Sequence, residues 1–146
     1  MAAREVRHPI RVGLVGASVD PSRSWGTRAH IPAIRHLPNF ELTAVCTSSQ
    51  RTAFEVARHF HIPQAFADAR ELARCPEVDL VAVAVRTPLH RELVGAALAS
   101  GRHVYCEWPL GVSTAQARDI EAAASNAGVL NMVGMQGRYN EAIAYA

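Results

Sequence analysis

The chain has 146 residues and a formal net charge of +2, long enough to bury a core without disulfide or metal staples. Hydrophobic residues make up 49% and charged ones 19%, with basic and acidic side chains interspersed. This balance excludes a disordered chain and leaves no nucleic-acid footprint. Cys46, Cys75 and Cys106 are far apart without a C-x-x-C pair, and two of them fall inside apolar strands, so buried reduced thiols in a cytoplasmic protein are expected. Met1–His8 is polar, and the longest apolar run, Leu80–Val85, is far too short to span a bilayer. Neither a membrane nor a nucleic acid is an expected partner.

In chain order, the first strand is Ile10–Val15. It runs into the small-residue turn Gly16-Ala17-Ser18 and a long connector, Ala17–Trp25, before a helical pattern opens at Gly26-Thr27. Pro32 fits only an early turn of that helix. Strand, small-residue turn and helix describe a phosphate cradle, although an ordinary tight β-to-α turn uses the same residues. The strict G-x-G-x-x-G spacing is broken: Gly16 fits the first glycine, Ser18 stands at the second and the third is displaced to Gly26. Gly13, inside the strand, joins the candidate cofactor residues with Gly16, Ser18, Trp25 and Gly26. Further strands are expected at Glu41–Cys46, Gln64–Phe66, Leu80–Val85, His103–Cys106 and Val129–Gly134. Leu80–Val85 is apolar at every position, the mark of a central parallel strand buried on both faces.

Helix punctuation is readable between the strands. Ser49 caps a helix over Gln50–Phe60. Thr87-Pro88 opens another with the stripe Leu89, Leu93, Ala96, Ala97 and Leu98, closed by Gly101. Ser113 and Gln116 form a capping box, and Gly128 ends the helix that follows. Repeated βα units force parallel strands and right-handed crossovers. The fold class is therefore α/β, a doubly wound, Rossmann-type parallel sheet forming one domain over residues 1–146.

Ligands of such sheets sit beyond the carboxyl ends of the strands. After the second strand the sequence reads Thr47-Ser48-Ser49-Gln50-Arg51, with no carboxylate before Glu55. An NAD site usually places Asp or Glu there for the ribose hydroxyls. Thr47, Ser48 and Arg51 suit a 2′-phosphate instead, which points to NADP rather than NAD. Arg86, directly after the fourth strand, either meets phosphate or the nicotinamide amide or stays solvated. His59-Phe60-His61 reads as a surface pair at a helix end, not a metal site. No Ser/His/Asp or Cys/His nucleophile arrangement is visible.

His103-Val104-Tyr105-Cys106-Glu107-Trp108-Pro109-Leu110 resembles the G-K-H-V-x-x-E-K-P-L signature of the Gfo/Idh/MocA oxidoreductase family. The resemblance extends over Ile10–Gly16, His30-x-Pro32-Ala33-Ile34, Val83–Glu92 and Val133–Tyr139. It implies a dinucleotide site near the nicotinamide end for His90, Glu107, Trp108, Pro109 and Gln136, with Trp108-Pro109 often cis. It also implies hydride transfer on sugar- or polyol-type substrates and, in the family, a second α/β domain that follows the first. The family's lysine is Trp108 here, so no catalytic residue is assigned. An indole can stack or wall a pocket but cannot carry a proton. The Glu-Trp dipeptide, Trp25-Gly26 and Gln136-Gly137-Arg138 resemble the branch of the family that includes a fungal galactose-pathway repressor. Two readings stay open: the cofactor half of an NAD(P)-dependent oxidoreductase, which meets a small-molecule substrate only with a second domain, and a non-catalytic regulatory module. Self-association through an uncovered domain face is expected of either.

Overall fold

A computed structural model of the chain describes residues 8–139. Strands β1 (Ile10–Val15), β2 (Phe40–Cys46), β3 (Gln64–Phe66), β4 (Leu80–Val83), β5 (His103–Glu107) and β6 (Asn131–Gly134) alternate with helices. The helices are α1 (Ile31–His36), α2 (Gln50–His59), α3 (Ala69–Arg74), α4 (His90–Ala99) and α5 (Thr114–Ala127). The strands pair in parallel throughout, in the order β3-β2-β1-β4-β5-β6. Strand order reverses between β1 and β4, and a crevice opens there at the carboxyl edge.

Most elements follow their local signals. Ser49 Oγ accepts from the Thr52 amide at the start of α2. Ser113 Oγ accepts from the Gln116 amide, while Gln116 Oε1 reaches one residue further back than a capping box requires and accepts from the Val112 amide at 2.7 Å. Gly128 ends α5 at φ 65°, a left-handed conformation that disfavours other residues.

Three expectations need correction. β4 stops at Val83 rather than Val85, because the Val85 carbonyl turns to accept from His90 Nε2 at 2.9 Å. β6 starts at Asn131 rather than Val129, because the Leu130 amide donates to His103 Nδ1 at 3.1 Å. Thr87–Leu89 is a separate 3₁₀ turn, and the buried stripe of α4 is His90, Val94, Ala97 and Leu98, leaving Leu89 exposed. Helix α3, which no periodicity announced, is capped by Asp68, whose Oδ1 accepts from the Arg70 amide at 2.8 Å. It presses the fully buried Leu72 against the sheet.

Gly13 belongs to that contact and not to a phosphate cradle. A Cβ at Gly13 would lie 2.7 Å from Leu72 Cδ2, so the glycine makes room for α3. Helices α3, α4 and α5 bury one face of the sheet beneath Leu72, Val94 and Ile120. On the other face α1 and α2 pack over Val12, Leu14 and Val45. There an apolar groove of about 610 Å³ runs from α1 over β4 and β5 to β6, where Leu130 is 76% and Met132 58% exposed. Among the described residues no helix is long and apolar enough to cross a membrane.

Candidate functional site

Two cavities line the carboxyl edge and meet over the β1 turn. One, of about 470 Å³, lies between the ends of β1 and β2; the other, of about 710 Å³, lies between the ends of β1, β4 and β5. Gly16, Ala17 and Arg23 line both.

The turn itself is held tightly. The Gly16 amide donates to the Cys46 carbonyl at 3.0 Å, which ties the ends of β1 and β2. Gly16 has φ 101°, and a Cβ there would meet the Ala84 carbonyl oxygen at 2.5 Å. A Cβ on Gly26 would run into the Gly16 carbonyl oxygen, so the helix start can lie this close only as glycine. Pro21–Arg23 forms a 3₁₀ turn within the connector, capped by Asp20, and Gly26–His30 enters α1 as a π-helical turn. Hydroxyls knit the connector: Thr27 Oγ1 accepts from the Ser18 amide at 3.0 Å and donates to the Ser18 carbonyl at 2.7 Å.

Around the first cavity stand Ser18, Thr47, Ser48, Thr52 and Glu55. Thr47 and Thr52 hydroxyls are 2.6 Å apart and Thr52 lies 2.8 Å from Ser49 Oγ, a chain of exchangeable donors at the start of α2. Arg51, expected here, does not line the cavity. Its side chain is 75% exposed and pairs with Glu55, one turn further along α2, at 2.6 Å. Cys46 lines the cavity too, but burial and the nearby Asp68 and Glu71 push its thiol up to about 12, so it stays protonated and is a poor nucleophile.

The second cavity is walled by Trp25, Arg86, Glu107, Trp108 and Gln136. Glu107, at the last position of β5, is buried and gathers its neighbours. His30 Nε2 donates to Glu107 Oε1 at 2.6 Å, and Gln136 Nε2 donates to Oε2. Burial first, then the nearby Glu107 charge, push the Tyr105 phenol up to about 12. The Tyr105 and His30 rings meet edge to face at 5.3 Å. One carboxylate thus joins the helix after β1, the end of β5 and the turn after β6.

Trp108 lies beyond this anchor, 62% exposed on the cavity wall, and its bond to Pro109 is cis. Pro109 lines neither cavity. His90, assigned to this end by resemblance, also lines neither. Its ring is turned into the fold, Nε2 is spent on the Val85 carbonyl, and Nδ1 is buried without a partner. Its place at the start of α4 makes it a brace for the β4 loop. Arg23, His30 and Thr52 are among the residues that sequence reasoning missed. The only available signal for Arg23 was its place in a connector too long for a simple turn.

Residues 10–135 match the oxidoreductase family with an NAD-binding Rossmann fold, Gfo/Idh/MocA. The chain is 32% identical to the trans-1,2-dihydrobenzene-1,2-diol dehydrogenase of Mus musculus over 89% of its own length and 38% of that protein's. It is 29% identical to the galactose/lactose metabolism regulatory protein of Saccharomyces cerevisiae, over 89% of this chain and 32% of that one. An NAD binding oxidoreductase from Klebsiella pneumoniae superposes with a TM-score of 0.82 at 32% identity, covering 94% of this chain and 37% of the other. The chain therefore spans 32–38% of the length of these relatives. It belongs to the Gfo/Idh/MocA oxidoreductase family, as its nucleotide-binding Rossmann domain.

Proposed function

We propose that this member of the family is the cofactor-holding domain of an NAD(P)-dependent oxidoreductase acting on sugar- or polyol-type substrates. The carrying observation is the pair of cavities joined over Gly16, one walled by hydroxyls and the other by Trp108 and the Glu107 cluster. Their division suits a dinucleotide: adenosine at the β2 side, nicotinamide at the β5 side. The bound cofactor would supply a hydride donor or acceptor, and this chain's residues would bind and orient it.

NADP(H) is the preferred form in this reading. β2 ends in Thr47 and Ser48 without a carboxylate. The exposed Arg51–Glu55 pair is worth only about 0.3–0.5 kcal/mol, so a 2′-phosphate can draw Arg51 away from Glu55. A polyol-type substrate fits a relative whose name specifies a cyclic vicinal diol. Trp108 can wall the nicotinamide end but cannot move a proton, so the acid–base group comes from the part of the relatives' length that this chain does not span. The apolar strip at Leu130 and Met132 would make the separate chain self-associate at high concentration.

Calorimetric titration with NADPH and NADH tests this. Saturable binding of both, tighter for NADPH and weakened by Arg51→Ala, is expected; tighter NADH binding overturns the preference, and no binding overturns the reading. A second reading, a dinucleotide-binding regulatory module in the cytoplasm, is favoured by Trp108 at the family's lysine position and by the likeness to a regulatory protein. Polyol oxidation by a longer form carrying Trp108 would exclude it.

A further inference from the structure

We propose that Arg23 is the pyrophosphate-binding residue of this domain, a role that other Rossmann turns give to backbone amides. The inference rests on the dinucleotide reading above and deepens it.

Two observations carry it. Arg23 lines both cavities, together with Gly16 and Ala17, so its side chain stands where the two halves of a dinucleotide must be linked. Arg86 lines only the β5-side cavity, and Arg51 lines neither. Among the described residues Arg23 forms no ion pair, although the Asp20 carboxylate at the cap of its own turn feels its charge, so the guanidinium is not committed to a carboxylate as Arg51 is to Glu55.

The second observation concerns the amides that usually do this work. A phosphate-binding turn relies on free N–H groups at the helix start. Here the Thr27 amide donates to Ser24 Oγ and the Arg28 amide to the Ser24 carbonyl. The Ser18 amide is spent on Thr27 Oγ1, and the Asp20 amide on Ser18 Oγ. The long connector satisfies much of its own backbone, which leaves less for a ligand. It also carries a guanidinium to the place those amides would serve. A planar, permanently charged fork matches paired phosphate oxygens, and it replaces several weak donors by one strong one.

Isothermal titration of the 146-residue chain with NADPH, NADH, ADP-ribose and AMP separates the possibilities. In Arg23→Gln, affinity for the three pyrophosphate ligands should fall together by about 10- to 100-fold, the range of a lost charge-assisted contact. AMP affinity should hold within about twofold, and Arg23→Lys should recover part of the loss. Unchanged ADP-ribose binding in Arg23→Gln overturns the proposal. So does a loss confined to NADPH, which would make Arg23 a reader of the 2′-phosphate, and so does an equal loss of AMP. If the unaltered chain binds none of the four, the dinucleotide reading itself has failed, and this proposal with it.

Discussion

The two cavities on either side of Gly16 are assembled in different ways. The hydroxyl cluster at the β2 side is local: Thr47, Ser49 and Thr52 lie within six residues, and the cap of α2 sets their hydroxyls side by side. The β5-side wall is drawn from distant chain segments, since Glu107 bonds His30, 77 residues away, and Gln136, 29 residues away. A short local motif survives rearrangement of the rest of the fold, whereas a wall gathered by one buried carboxylate depends on every partner. The β5 side should therefore be the more fragile half.

Glu107→Leu should break that half. It leaves His30 and Gln136 without their common acceptor in a largely buried place, and a loss of about 3 kcal/mol is expected in urea denaturation. Glu107→Gln should recover part of it. AMP binding by the β2 side should survive either change in whatever fraction stays folded. Ser49→Ala removes only a cap, with an expected cost of about 1 kcal/mol and weaker binding confined to AMP-containing ligands. A larger loss for Ser49→Ala than for Glu107→Leu would reverse the comparison.

A smaller effect sharpens it. Trp108 is exposed, so Trp108→Phe should change stability by no more than about 0.5 kcal/mol. It should nonetheless remove most of the tryptophan quenching on NADPH binding. Quenching that persists in Trp108→Phe and vanishes in Trp25→Phe would place the nicotinamide elsewhere.

One further effect shows only at alkaline pH. Tyr105 titrates near 10 when unfolded and is held up to about 12 in the fold. A raised pKa favours the protonated folded form, so its contribution is complete below pH 10 and is lost as the pH rises toward about 12. Alkaline titration followed by near-ultraviolet absorbance should show this late phenol. Glu107→Leu should move it only part of the way back toward 10, since burial is the larger cause.

Sequence by itself determined the alternation of strands and helices, the caps at Ser49 and Ser113, the turn at Gly128 and the family. These depend on hydrophobic period and on short-range hydrogen bonding, which neighbouring residues carry with them. It also pointed to the strand ends, where Gly16, Ser18, Thr47, Ser48, Glu107, Trp108 and Gln136 do line the cavities. Tertiary structure decided what spacing cannot express. Gly13 faces α3 because Leu72 arrives from a helix with no periodic signal, and His90 turns inward because a strand-end carbonyl needs a donor. Arg51 is held by Glu55 on its own helix, while Arg23 reaches both cavities from a connector whose path is set by Thr27 and Ser24. Which way a side chain faces is settled by partners far along the chain, and those partners exist only once the sheet has formed.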